Sequence, residues 1–324
     1  MFLEFKPRRR TPALLTAAFC GLLLTMGPAA AQKSSITLGS TNSTSSHYGA
    51  AVAMGKAIKK NLPNANVNVI ETGASVDNVR RMAKGEIDFG LVMVDTSVQA
   101  GSGTGPFKDK AVTDLGALYV YDVVVLNVAV RVDSGINNLT DLKGKRFSAG
   151  IRGSGAELLT HDIFNAVGAQ TEWVPGSLSD AVEGISNRHL VGYSKYGVGS
   201  GLDATMRELL TKTPMKFVNF TEEQKAQVLA KVKGVDFMTI PADTVPGQPA
   251  VLAPVVPATY SARISTMDDA TAHAIAKAIY ENRQFLIDVF PHLKSFDFKK
   301  QALNVEKLGI KLHPGAKKFW ESLP

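Results

Sequence analysis

Apolar and polar positions change period repeatedly along this chain, and the changes lay out alternating strands and helices. Ser35–Gly39 (SITLG) predicts a strand, the hydroxyl-rich turn Ser40–Ser46 follows, and a helix runs from about His47 to Asn61. Asn66–Glu71 alternates as a second strand, Ser75–Lys84 reads as an amphipathic helix, and Ile87–Val94 is a third strand, apolar enough to be buried on both faces. Strand–helix–strand alternation predicts a parallel sheet with helices on its faces. A second such unit begins with the long β run Val123–Val132 (VVVLNVAVRV). After it come a turn or one-turn helix at Leu139–Gly144 and a strand at Arg146–Gly150. Helix Ser154–Val167, strand Thr171–Val174, helix Ser177–Asn187, strand His189–Tyr193 and helix Leu202–Leu210 complete it.

Val251–Tyr260 is apolar and holds Pro254 and Pro257, with Pro249 just before it. Prolines are tolerated at strand edges and in crossovers, so this run reads as the chain returning to the first unit. Ile275, Ile279, Leu286 and Phe290 fall on one face of a long C-terminal helix that packs there. The expected architecture is an α/β fold with two Rossmann-like lobes joined by two extended crossovers. Residues 32–122 and 245–324 form lobe I, and 123–244 form lobe II. A ligand in the cleft between them would meet strand ends and helix starts of both lobes.

The first 31 residues are set apart from that pattern. Lys6, Arg8, Arg9 and Arg10 precede an apolar run over Thr11–Pro28, and Ala29-Ala30-Ala31 follows. This is the layout of a secretory signal peptide cut after Ala31; the run is short for a membrane anchor. Arg8–Arg10 lack the rest of a twin-arginine motif, and Cys20 follows Phe19 where a lipoprotein needs a small residue. Cleavage would remove the single cysteine, and with it any disulfide or thiolate site. It would also remove four of 36 bases and one of 29 acids, taking the net charge from +7 to +4. That charge is too small and too scattered to suggest nucleic acid as a partner. The mature product is expected to be periplasmic and monomeric.

Three strand-to-helix turns hold the candidate chemistry. Ser40–Ser46 carries six hydroxyl side chains in seven positions, with Asn42 as the seventh, whereas an N-cap needs only one. Such a turn suits a carboxylate at a helix start, with His47 on the first helical turn able to donate one hydrogen bond. In Gly73–Asn78, Ser75 is placed as N-cap and Asp77 suits the helix dipole, while Ser75 and Asn78 also suit a cleft. In Gly150–Glu157, Ser154 and Glu157 satisfy a capping box, the glycines leave amides open to an anion, and Arg152 either forks onto a carboxylate or stands in solvent. Asp95 has two readings, a partner for a ligand ammonium or a cap for the helix Thr96–Ala100. Tyr193 and Tyr196 wall the cleft or pack in the core. No nucleophile elbow, phosphate-binding loop, H-E-x-x-H or metal spacing occurs, so an enzyme is the weaker class and no cofactor is expected.

At these residues the chain resembles the TAXI family, the extracytoplasmic solute receptors of tripartite ATP-independent periplasmic (TRAP) transporters. The resemblance runs from about Ile36 to the C-terminus. It is carried by LGSTNSTSSHYGAAVAMGKAI (38–58), TGASVDNVRRMAKGEIDFGLVMVD (72–95), AGSGTGPF (100–107), LTDLKGKRFSAGIRGSGAE (139–157) and LHPGAKKFW (312–320). It implies a type II periplasmic-binding-protein-like fold and capture of a small carboxylate such as glutamate or 2-oxoglutarate, delivered to TRAP membrane subunits. The family's ligand contacts map onto Ser43, Thr44, His47, Ser75, Asn78, Asp95, Ser154 and Ala156. Three features depart from the family pattern: Ser45-Ser46 replaces a Gly-Gly pair, His47 a Tyr and Ala156 a Thr. A receptor of the same fold feeding a histidine kinase is the alternative.

Overall fold

The computed structural model describes Met1, residues 35–199 and residues 201–324; the expected signal peptide and its cleavage site lie outside the described residues. The first layer of the fold is β1 (Ser35–Gly39), α1 (Ser46–Asn61), β2 (Asn66–Ile70), α2 (Ser75–Lys84), β3 (Phe89–Met93) and α3 (Val94–Ser102). β1 pairs in parallel with β2 and β3, as strand–helix–strand connections require. α2 has the bounds expected from its periodicity: its apolar Val76, Val79 and Met82 are buried, and Gly85 in the left-handed region stops it.

The middle of the sheet is a pair of long strands. β4 (Leu115–Arg131) is eight residues longer at its start than the run read from sequence, because Leu115–Asp122 is also buried and paired. The rest of the chain adds β5 (Arg146–Ser148), α4 (Gly155–Val167), β6 (Glu172–Trp173), α5 (Leu178–Ser186), β7 (Gly192–Tyr196), α6 (Ala204–Lys212), β8 (Met215–Phe217), α7 (Glu222–Lys231) and β9 (Asp236–Ile240). It ends with β10 (Val251–Arg263), α8 (Asp269–Glu281), α9 (Arg283–Val289), α10 (Phe298–Asn304) and α11 (Pro314–Ser322). Ten strands among the described residues form one sheet in the order β2-β1-β3-β10-β4-β7-β5-β6, with β8 beside β4 and β9 beside β10. β4 and β10 run antiparallel, and β4 changes neighbour along its length: its first half pairs with β10, its second with β7 and β8.

β10 is an interior strand, not an edge, yet it carries two prolines. Each falls where one side of the strand is locally unpaired. Pro254 pairs with β9 just before the β4 ladder begins at Val255. Pro257 faces Val123 of β4, between the end of the β9 ladder at Val255 and the start of the β3 ladder at Ala258. The missing N–H therefore breaks no ladder bond.

Two further elements differ from the sequence reading. The single C-terminal helix is two, α8 and α9, interrupted at Asn282, whose side-chain amide turns back to the Ala278 carbonyl and to Asn61 Oδ1, both at 2.8 Å. Ile275, Ile279 and Leu286 are buried, and Phe290 is half-buried beyond the end of α9. The strand read at His189–Tyr193 begins three residues later, at Gly192. There the backbone of β4 comes so close that a Cβ would sit on the Ala129 carbonyl. The core follows these layers: Ile36, Leu38, Phe89 and Leu91 on the inner strands share one cluster with residues of α1 and α8, and Phe147 of β5 packs with Leu159 and Phe164 of α4. Among the described residues no helix is long and apolar enough to cross a membrane.

Candidate functional site

The starts of α1, α2 and α4 come together with the end of β7 around one internal cavity. Its volume is about 40 Å³. Each start is shaped by its own sequence. Ser45 is the N-cap of α1 and accepts from the His47 amide at 3.3 Å. Ser154 is the N-cap of α4 and accepts from the Glu157 amide at 3.1 Å, while Glu157 reaches back to the Gly153 amide at 2.7 Å, one residue further than a regular capping box. At α2 the expected cap is displaced. Ala74, not Ser75, holds the N-cap position, with φ 68° and ψ −148°, a region that favours glycine. Ser75 is the first helical residue, and its Oγ accepts from the Met93 amide at 3.2 Å.

The sequence-selected residues separate in space. His47, Ser75, Ser154 and Ala156 line the cavity, as do Tyr193 and Tyr196. Ser43 and Thr44 are exposed on the turn outside it, where Thr44 bonds to Asn42 Oδ1 through its amide (3.0 Å) and hydroxyl (2.6 Å). From that turn it is Thr41 and Ser45 that face inward. Asn78 is fully buried beneath, and its Nδ2 donates to the carbonyls of Ser40 and Leu91 at 2.9 Å, tying α2 to β1 and β3. Arg152 lines a separate outer pocket of about 440 Å³ with Gly73, Asp77 and Glu157. Asp95 is the second residue of α3, which Met93 caps, and lines another pocket with Gln99 and Asp162. Both of its carboxyl oxygens are buried without a hydrogen-bond partner. Burial, with the Asp162 carboxylate adding to it, pushes its pKa up to about 7.

The cation of the cavity is Lys195, which the sequence reading did not select. Its ammonium contacts the Asp203 carboxylate and reaches Ser45 Oγ at 3.5 Å. Asp203 is in turn the N-cap of α6 and accepts from the Met206 amide at 2.8 Å. Burial pushes the ammonium's pKa down, and the carboxylate in contact with it works the other way. The available signal was a lysine inside an otherwise buried strand, GYSKY, which requires a partner.

His47 is held neutral. Its pKa is lowered to about 3, first by burial and then by Lys195. Its Nε2 faces the Tyr196 carbonyl at 3.3 Å, a group that can only accept, so Nε2 carries the proton and Nδ1 accepts from the Tyr121 hydroxyl. Both nitrogens are thereby engaged, and what His47 offers the cavity is a ring edge. The two sides of the sheet are stitched together around the space. The Val76 amide donates to the Gly153 carbonyl at 3.1 Å and the Ala204 amide to Ser46 Oγ at 3.0 Å. Gly155 approaches so closely that a Cβ would lie 3.0 Å from both Met93 Cγ and Ser75 Oγ. Among the described residues, no three His, Cys, Asp or Glu side chains are grouped to hold a metal ion.

Residues 38–322 match the model of the NMT1-like family, nearly the whole described chain. The chain belongs to the NMT1-like family. This NMT1-like chain also shares its fold with solved structures of low sequence identity. A protein of Bordetella bronchiseptica RB50 is 11% identical with TM-score 0.55, over 90% of this chain and 98% of that one. A Xanthomonas citri protein bound to ATP is 12% identical with TM-score 0.52, over 90% and 100%. An ancestral arginine-binding protein bound to arginine is 15% identical with TM-score 0.50, over 82% and 100%. The α/β architecture expected for a type II periplasmic binding protein is therefore the architecture of this NMT1-like chain.

Proposed function

We propose that the protein is an exported, periplasmic solute-binding receptor. It closes around a small carboxylate, the class that includes glutamate and 2-oxoglutarate, and delivers it to the membrane subunits of a TRAP-type transporter, as the TAXI resemblance implies. The observation that carries this reading is the convergence of three helix starts and the Lys195 ammonium on one cavity. Helix N-termini present partial positive charge and amides that favour an anion, and the Lys195 ammonium, already paired with Asp203, adds a charged hydrogen-bond donor beside them. The ancestral protein of the same fold that is bound to arginine is in keeping with capture of a small metabolite.

In this reading lobe I is 32–122 with 245–324 and lobe II is 123–244, hinged where β4 exchanges neighbours and where the chain re-enters β10. Ligand and receptor separate chemically unchanged, and the receptor acts as a monomer. Contacts such as Val76–Gly153 exist only when the halves meet, so a ligand that touches both halves shifts the population towards the closed form by its difference in affinity for the two forms. The test is thermal unfolding of the purified protein against carboxylates, amino acids, sugars and amines. Stabilisation confined to carboxylate-bearing compounds is expected; stabilisation by sugars or amines alone, or turnover of a binder, would overturn the reading.

A further inference from the structure

A surface trough of about 670 Å³ lies apart from the cavity and shares no residue with it. It runs between α3, the turn that joins α7 to β9, and residues 307–311 ahead of α11. Its rim carries the exposed Lys233, Lys307 and Lys311, and no Asp or Glu lines it. The acids next to it in sequence are committed elsewhere. Both Glu306 oxygens accept from Lys317 at 2.9 Å, and Asp114 pairs with Arg263 at 3.0 Å. Lys311 Nζ donates to the Thr113 carbonyl at 3.3 Å, whereas the Lys233 and Lys307 ammonium groups have no partner among the described residues. Lys233 also borders the pocket of Asp95 and Asp162 and pairs with neither. Three like charges therefore share one concave surface without a counter-charge, which favours an anionic occupant.

Between the lysines the floor is apolar, with Val98, Val112, Leu115 and Ile310 below and Leu308 38% exposed at the edge. We propose that the trough docks an acidic, partly apolar segment of a partner protein, the membrane partner of the receptor; this rests on the receptor reading above. A flat anionic lipid surface would meet the lysine tips and leave the floor uncovered, whereas a chain segment can set carboxylates against the rim and an apolar side chain against Leu308. In the two-lobe reading, Lys233 and Gly234 come from lobe II and the rest of the trough from lobe I. Gly234 is a point of close approach between them: a Cβ there would lie 3.1 Å from the Asp95 amide nitrogen. The trough is complete only while that approach is made. A segment seated in it therefore binds the closed receptor better than the open one, and ligand and partner reinforce each other's binding.

The test compares the parent protein with Lys233→Glu/Lys307→Glu/Lys311→Glu, using as probe the carboxylate that most stabilises the parent in the thermal screen. Calorimetric titration with that carboxylate should give the same affinity for both proteins, because the trough and the cavity share no residue. Uptake of the labelled carboxylate into liposomes holding the TRAP-type membrane subunits should fall about tenfold or more with the charge-reversed protein. Uptake retained by that protein overturns the proposal and leaves the receptor reading standing. Sedimentation of the parent, but not the variant, with phosphatidylglycerol vesicles free of the subunits would assign the trough to lipid and overturn it as well. If no carboxylate stabilises the parent, or the parent supports no uptake, the proposal falls together with the reading beneath it.

Discussion

Lys195 and Asp203 meet as an ion pair whose side chains are only 9% and 3% exposed, one at the end of β7 and the other capping α6. Seven residues, three of them glycines, separate the two in the chain. A buried pair of this kind adds little net stability, but removing one partner is costly.

Lys195→Met is accordingly expected to lower stability by about 3 kcal/mol, because Asp203 is left buried without its counter-charge. The double variant Lys195→Met/Asp203→Leu should recover most of that loss and still fail to bind a carboxylate. Denaturant melts and titrations on the two variants separate the structural role from the binding role.

Asp95 should impose a pH slope on stability. Its pKa rises from an ordinary carboxylate value in the unfolded chain to about 7 in the fold, so the folded form holds its proton more tightly. Stability from this group is lost as pH rises between about 4 and 7. Asp95→Asn should remove that loss and be more stable than the parent protein at pH 8. Urea unfolding of both proteins at pH 5 and pH 8 measures it; an unchanged difference between the two pH values would contradict the burial argument.

His47 works with the opposite sign. Its folded pKa of about 3 lies below the ordinary histidine value, so the unfolded chain gains a proton first on acidification. Stability is lost as pH falls from about 6.5 towards 3, and His47→Gln should flatten that acid limb. The difference in unfolding free energy between variant and parent, followed across this range, is the readout.

Ala74 carries backbone strain at the mouth of α2, with φ 68°. Ala74→Gly relieves it and should raise stability by about 1 kcal/mol. Thermal unfolding decides this, and a loss of stability would show that the Ala74 methyl contributes more by packing than it costs in strain.

The fold was legible where one physical signal dominated. Val76, Val79 and Met82 recur at helical spacing between Gly73 and Gly85, and α2 begins and ends where that pattern does. The long strand pair was half legible: Val123–Val132 announced β4, but Leu115–Asp122 contains Tyr119, Tyr121 and Asp122 and shows no clean alternation, being buried on both faces of the sheet. The α8–α9 break at Asn282 was not visible because Leu286 keeps the apolar spacing across it. In the site, the turns were legible as turns. Which side chains face inward depends on how two distant turns pack, so Ser45 rather than Ser43 or Thr44 reaches the cavity, and Lys195 was hidden because its partner comes from a later helix. Asn78 looked like a ligand group, but its amide donors are consumed by the carbonyls of Ser40 and Leu91.

The most direct test of a receptor that encloses a carboxylate beside Lys195 is mass spectrometry of whatever the purified protein releases when it is denatured. The account predicts a small carboxylic acid recovered in near-stoichiometric amount from the parent protein and absent from Lys195→Met. A neutral or purely cationic compound, or equal recovery of the acid from both proteins, would contradict it.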